Sequence, residues 1–381
     1  MPLRLLIKRP RSFCKRKLTT FTLDLYDAAV EMRDDPSLRD IPIAIGGSTD
    51  RRGVISTCNY PARQFGVRSA MATAHALRLC PGLQVIKGRM QAYVAESKKI
   101  REIFDRYTTK IEPLSLDEAY LDVSQCTLFA GSATLIAEDI RKTIQHELNL
   151  TASAGVAPIK FVAKIASDEN KPDGLCVITP DKLDEFVRYL PLRKIPGVGK
   201  VTIEKLNRLG LFTCDDVRNY PLDRLVKQFG KFGPELWKRS HGIDERELTT
   251  SRQRKSIGVE RTLSEDIYSL DECLHIADIL YPSLLSRSQL KSTDKQQQLP
   301  KIISQGVKLK FSDFQQTTVE HRTRVLDRAY FNQLLSEAFA RANGRGIRLV
   351  GLTIGLPANN AMHQLSLPLD QLEFTVNPEA K

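Results

Sequence analysis

The sequence predicts an α+β fold divided among several domains, and three observations carry that prediction. Strand-like and helix-like pieces follow one another from about Ala28 to Ala157, the text turns to short helices after Pro180, and strand-like alternation returns at Val307. A chain of 381 residues has the length of two or three domains. Its 41% apolar and 27% charged residues suit packed cores rather than a disordered or disulfide-stapled chain.

Along the chain, residues 40–47 (Asp-Ile-Pro-Ile-Ala-Ile-Gly-Gly) read as a short buried strand ending in a turn. Ile100, Ile103, Phe104 and Tyr107 recur at helical spacing, and Pro113 is expected to stop that helix. Residues 119–123 read as a strand, Ile136, Ile140 and Ile144 line one face of the next helix, and residues 151–157 read as a second strand. Beyond Pro180, Ile203, Leu206 and Leu209 mark a helical stripe. Residues 249–259 read as an extended polar linker, with no strand pattern until about residue 300, and residues 296–300 as a loop. Val307, Leu309 and Phe311 then alternate with Lys308 and Lys310, a half-buried strand with one basic face. Arg345 and Arg348 lie at or near a last strand that ends at Leu356. No repeat of 20 to 50 residues is present.

The formal net charge of +12 points to a polyanionic partner. Seven of those charges (Arg4, Lys8, Arg9, Arg11, Lys15, Arg16, Lys17) lie in residues 1–17, which hold no acid, so the remaining chain is only modestly basic. Three readings of this arm stay open: a disordered basic arm, residues foreign to the folded domain, or an organelle address. No stretch approaches the ~20 apolar residues of a membrane-spanning helix. Seven scattered cysteines without a C-x-x-C pair suit a reducing cytoplasm and point away from structural zinc.

The chemistry concentrates at Asp117-Glu118, within Ser-Leu-Asp-Glu-Ala-Tyr-Leu-Asp (115–122). Neighbours in a regular strand point to opposite faces, so two adjacent acids reach one ligand only where the backbone turns, which Pro113 makes plausible. Such a pair suits Mg²⁺, which takes one or two protein carboxylates and keeps its other positions for water and substrate phosphates. A solvated turn is the plain alternative. Further motifs are Cys-Asn-Tyr-Pro-Ala-Arg-Gln-Phe-Gly-Val-Arg-Ser-Ala-Met (58–71) and Lys-Ile-Ala-Ser-Asp-Glu-Asn-Lys-Pro-Asp-Gly (164–174). By themselves Tyr60 reads as core and Arg63 as a surface charge.

These three motifs, in this order, make the chain resemble the Y-family translesion DNA polymerases, most closely the bacterial polymerase IV type, from about Ala28 to about Leu356. The resemblance implies a right-hand polymerase. Its ferredoxin-like palm would take residues 18–24 and 88–179, its small fingers 25–87, a helical thumb with a helix-hairpin-helix 180–243, and an α/β little finger 244–357. Residues 1–17 would be the arm and 358–381 a tail. By the same resemblance Asp117 is a metal ligand and Glu118 a ligand and essential acid of a centre with two Mg²⁺ ions. Tyr60, Arg63 and Lys171 contact the triphosphate of a dNTP.

The family's first motif reads roughly x-D-x-D-x-F-[FY]-A-A-V-E, its first Asp a metal ligand and its second aromatic a steric gate against ribonucleotides. Here the text is Phe21-Thr22-Leu23-Asp24-Leu25-Tyr26-Asp27-Ala28-Ala29-Val30-Glu31. Without gaps Thr22 takes the ligand position and Asp27 the gate. A two-residue deletion after Leu25 restores Asp24 as the ligand but leaves Asp27 where the aromatic belongs. A neutral hydroxyl binds Mg²⁺ far more weakly than a carboxylate.

Lys194-Ile195-Pro196-Gly197-Val198-Gly199-Lys200 leads into the stripe at Ile203, where a hairpin opening a helix leaves backbone N–H groups free for a phosphate. An ordinary interhelical turn is the alternative. The family thumb makes Gly197, Gly199 and Lys200 DNA contacts, joined by Lys308, Lys310, Arg345 and Arg348 from the little finger. Gln364, Leu365, Leu367 and Leu369, after a polar tether, resemble the peptide that attaches bacterial polymerases to the sliding clamp. The alternative is a plain tail.

The expectation is therefore a low-fidelity, template-directed DNA polymerase without room for a proofreading nuclease, monomeric and cytoplasmic, using primer-template DNA, dNTPs and a sliding clamp. Two rivals stand beside it: a catalytically impaired DNA- and clamp-binding remnant, and a nuclease of the same two-metal chemistry. Because the motif dissolves abruptly upstream of Ala28, residues before it are expected to come from a shifted reading frame or a wrong start. The coding DNA should then hold a D-x-D-x-F-[FY] phrase in another frame, and its absence there would end that expectation.

Overall fold

The computed structural model describes residues 16–289 and 301–357, in two units divided between Arg252 and Gln253. In chain order the first unit contains β1 (Leu18–Leu23), α1 (Tyr26–Asp34), β2 (Ile43–Gly46), β3 (Ile55–Cys58), α2 (Tyr60–Gln64), α3 (Thr73–Leu79), β4 (Gln84–Ile86), α4 (Met90–Asp105), β5 (Ile111–Pro113), β6 (Glu118–Asp122), α5 (Ala133–Leu148), β7 (Ala152–Ala157), α6 (Lys160–Glu169) and β8 (Leu175–Val177). Five short helices follow, α7 (Leu183–Arg188), α8 (Lys200–Arg208), α9 (Cys214–Arg218), α10 (Leu222–Phe229) and α11 (Phe232–Ser240).

The larger sheet runs β5-β6-β1-β7-β8, antiparallel except for the β7–β8 pair. Alternation along its strands feeds two cores. Phe21 and Leu121 pack with Ile100, Phe104, Ile136, Ile140 and Ile144 from α4 and α5, while Leu18 packs with Phe161, Val162 and Ile165 of α6 and, further on, with Leu206 and Leu236 of the short helices. Gly155 in β7 lets α6 lie directly on the sheet, since a Cβ there would collide with the backbone at Ala163, Ala166 and Ser167. A smaller sheet, β3-β2-β4, has its own core around Ala44, Ile55, Cys58 and Val67.

The chain leaves α11 along the larger sheet. Asp244 accepts from Phe161 N–H at 3.1 Å. Buried Lys160 pairs with Glu112 at 2.5 Å and donates to the Glu247 carbonyl, and Glu112 accepts from Thr249 N–H at 2.7 Å. Residues 244–249 are thereby stapled to β5 and α6, so the expected start of the last domain at 244 moves to 253.

The second unit contains β9 (Ser256–Ile267), α12 (Leu270–Gln289), β10 (Ser304–Phe311), β11 (Gln316–Arg322), α13 (Arg328–Ala340) and β12 (Ile347–Gly355), its sheet ordered β11-β10-β12-β9 and antiparallel throughout. Val307, Leu309, Phe311, Leu352 and Ile354 share a core with Phe331, Leu334 and Leu335 of α13 and Cys273 and Leu284 of α12.

Two sequence readings need correction. Pro113 does not stop α4, which ends at Asp105; it closes β5 and pairs with Ala119. The polar stretch 249–259 expected to be a linker holds the boundary between the two units, but its last four residues open β9, with Ile257 paired to Ile354 and Val259 to Leu352. β9 lies at the sheet's edge and exposes three successive residues, 260–262, which hides its period of two. The expected loop at 296–300 lies outside the described residues.

β1 occupies the middle of its sheet although its text departs from the family motif. Backbone pairing tolerates that departure; just upstream of the motif, the Thr19 and Thr20 hydroxyls are fully buried without a hydrogen-bond partner. A buried hydroxyl left unsatisfied costs about 1–3 kcal/mol. Thr20→Val, which removes it at nearly constant volume, should raise the denaturant midpoint, corresponding to a gain of about 1 kcal/mol in unfolding free energy.

Candidate active site

The β5–β6 hairpin delivers the two acids. Leu114 and Ser115 N–H groups donate to the Glu118 carbonyl, and the Asp117 carbonyl accepts from Leu23 N–H at 2.9 Å, which fixes the loop against β1. Ser115 Oγ donates to Asp117 Oδ1 at 2.6 Å. Glu118 opens β6 directly across from Thr22 of β1, and cross-strand partners share a face of the sheet. That face looks toward α6, where the Lys164 ammonium bonds the Glu118 carboxylate and Ser167 Oγ lies 3.1 Å from Thr22 Oγ1.

Beside this pair lies a cavity of about 400 Å³, lined in part by Thr22, Asp27, Ser56, Arg63, Asp117 and Lys171. Arg63 comes from α2, whose first turn is capped by the Asn59 side chain accepting from Ala62 N–H. Its guanidinium stands 5.5 Å from the Tyr60 ring centroid, and its Nε is buried without a hydrogen-bond partner. Lys171, just beyond α6, pairs with Asp168 at 2.6 Å. One cavity therefore gathers two cationic side chains and two carboxylates.

Asp24 does not join them. It is buried, accepts from Ser153 Oγ at 2.9 Å and from Asp173 N–H at 2.8 Å, and sits on the β7 side of β1. Burial raises its pKa, against the opposing pull of those two hydrogen bonds and of Lys171. Asp24, the alternative metal ligand of the sequence reading, thus has its carboxylate engaged by Ser153 and the Asp173 backbone. Asp27 does line the cavity, accepting from Ser56 Oγ at 3.1 Å. Its pKa is raised first by burial and then by the charges of Asp117 and Glu31.

Asp117 lines the cavity, whereas Glu118 is not among its lining residues and meets Lys164 on the α6 face. Two adjacent carboxylates at a strand end match the one or two that Mg²⁺ takes from protein. Beside them Thr22 is neutral and Asp24 is engaged, and among the described residues no group of three His, Cys, Asp or Glu could hold a metal.

Gly197 adopts φ +95°, a backbone suited to glycine, and turns the chain into α8, whose N-cap is Gly199. Lys200 opens α8 and is exposed. In the second unit Lys308 pairs with Glu260 at 2.9 Å, and Lys310 and Arg348 both stand over the Phe314 ring. Arg345 is engaged within its own unit: its guanidinium stacks 3.9 Å from the Phe311 ring centroid and donates to the Ala342 and Arg341 carbonyls and to Gln315. Gln364, Leu365, Leu367 and Leu369 lie outside the described residues. Sequence reading missed Lys164; the signal was a lysine facing out of an otherwise apolar helical stretch, Phe161 to Ala166.

Comparison with known proteins covers most of the chain. The impB/mucB/samB family profile matches residues 22–168, that of a DNA polymerase-iota thumb domain residues 193–244, and the impB/mucB/samB C-terminal domain residues 254–367. A DNA polymerase IV of Pseudoalteromonas atlantica is 66% identical over 352 residues, covering 92% of this chain and 97% of the relative. One from Yersinia enterocolitica is 61% identical, covering 92% and 99%. Among solved structures, a Y-family DNA polymerase chimera of Dbh and Dpo4 superposes with a TM-score of 0.81 at 25% identity, covering 89% of this chain and 98% of that one. DinB from Sulfolobus solfataricus gives 0.61 at 26%, covering 90% and 100%.

Asp27 offers a test of the cavity's electrostatics. An acid whose folded pKa is raised favours the protonated state, so its stabilising contribution is present below the unfolded value near 3.9 and is lost as pH rises through the folded value. Asp27→Asn should therefore raise Tm at pH 7, and the gain should shrink as pH falls toward about 4 in thermal melts across that range.

Proposed function

The chain belongs to the impB/mucB/samB family of Y-family DNA polymerases, and from that membership we propose that it adds dNTPs to a primer 3′ end under template direction, in the bypass of damaged bases. The observation that carries this reading is the cavity where Asp117 faces Arg63 and Lys171. A triphosphate needs cations and hydrogen-bond donors along one side and a metal-holding acid on the other, and the cavity lining supplies Arg63 and Lys171 together with Asp117. Arg63 and Lys171 bind the phosphate oxygens, while Tyr60 supports the Arg63 guanidinium from below.

Asp117 and Glu118 hold a divalent cation, Mg²⁺ by its preference for oxygen donors. When bound, such an ion neutralises triphosphate charge and favours the ionised primer hydroxyl. A second Mg²⁺ would have Asp27 as the one further carboxylate lining the cavity and would otherwise depend on substrate oxygens and water. Asp27 stands at the sugar-gate position and narrows the cavity far less than an aromatic ring.

Gly197, Gly199 and Lys200 present the start of α8 to a DNA phosphate, and Lys308, Lys310 and Arg348 form the basic patch of the second unit. Such contacts weaken with salt and read little sequence. Residues 364–369 attach the chain to a sliding clamp, which raises its local concentration at primer ends. The protein acts as a monomer in the cytoplasm.

A second reading, a catalytically impaired DNA- and clamp-binding remnant, is favoured by one observation: Thr22 supplies no charge opposite Glu118. Primer extension with Mg²⁺ separates the two. For a polymerase, Glu118→Ala should lower extension by roughly a hundredfold or more, and Thr22→Asp should raise it. Equal, background-level extension by the native chain and Glu118→Ala, with DNA binding intact, selects the remnant.

A further inference from the structure

The metal-binding face of the larger sheet already holds a cation of its own. Lys164 and Ser167 stand one turn apart on α6 and meet the cross-strand pair Glu118 and Thr22 one to one. Ser167 Oγ donates its single hydrogen to the Lys164 carbonyl at 2.7 Å. The hydrogen between Ser167 and Thr22 is therefore Thr22's own, and the threonine hydroxyl is tied to the same turn of α6. The Lys164 and Glu118 side chains are 31% and 15% exposed, so their contact is screened less than a surface pair.

We propose that Lys164 is a positioning residue that competes with metal: its ammonium occupies Glu118 in the metal-free protein, and a divalent cation gains that carboxylate only by displacing it. The proposal rests on Asp117 and Glu118 being the metal-binding acids. Two cations cannot share one partly buried carboxylate without strong repulsion. α6 cannot retreat to make room, because Gly155 sets it on the sheet and Phe161 and Val162 anchor it in the core. The lysine must swing away on its own flexible stem. With neutral Thr22 across the strand, Asp117, Glu118 and Lys164 sum to a single negative charge, which makes the competition effective in this chain.

The test uses Mn²⁺ as the probe and the full chain without DNA or nucleotide, with free ion read by electron paramagnetic resonance. Lys164→Met should bind Mn²⁺ roughly tenfold or more tightly than the native chain, and Lys164→Arg should bind like it. Adding Glu118→Gln to Lys164→Met should abolish the gain. Mn²⁺ should also raise the Tm of Lys164→Met more than that of the native chain. Should Lys164→Met lack a native circular dichroism spectrum, Lys164→Gln takes its place in every arm. Equal or weaker binding by the neutral variants overturns the competition while leaving the metal site standing. Absence of Mn²⁺ binding in all proteins, with DNA binding intact, overturns the competition and the metal-binding assignment of Asp117 and Glu118 together.

Discussion

The candidate active site depends on one close contact, the seating of α6 on β7 at Gly155. Only a residue without a side chain allows the helix backbone to approach that strand so closely. The rest follows from the distance. With α6 at that height, Lys164 and Ser167 reach the strands carrying Glu118 and Thr22, and the turn after the helix brings Lys171 to the cavity. The apolar face of α6 meanwhile closes the second core of the sheet and joins it to the short helices beyond. A contact that looks like packing thus sets the positions of the charges.

Those charges are arranged with little slack. Arg63 and Lys171 face Asp117 and Asp27 across a small cavity, Glu118 is neutralised from the side by Lys164, and Asp24 is held beneath by Ser153 and the Asp173 backbone. Each acid of the region has a different partner, which is why adjacent sequence positions have such different environments. The opening strand illustrates how far backbone and side chain can part. β1 makes its full set of pairings with β6 and β7, yet places a neutral hydroxyl opposite Glu118 and leaves two buried hydroxyls unpaired.

Much of this was legible in the sequence, for reasons that differ by element. Ile136, Ile140 and Ile144 announce α5 because a long helix repeats its signal, and Val307, Leu309 and Phe311 announce β10 because one face is buried. The hairpin acids were legible as a motif, and the cavity does gather Arg63, Lys171 and Asp117. β9 was not legible, since an edge strand can leave consecutive residues in water. Nor was the fate of Asp24, whose partner Ser153 lies 129 residues away, or the part of Arg345's that depends on Gln315, 30 residues away. Lys164 was hidden for the same reason: a helical lysine reads as solvated until the strand opposite it is known.

The staple formed by Lys160, Glu112, Thr249 and Asp244 places the natural seam of the chain after Arg252, nine residues beyond the boundary at 243 that the family resemblance implies. Anyone grafting the C-terminal half of a relative onto this protein should join the two there. A junction at 243 would exchange the residues that clasp the donor's own first half, and would leave Lys160 and Glu112 of the recipient facing unfamiliar partners.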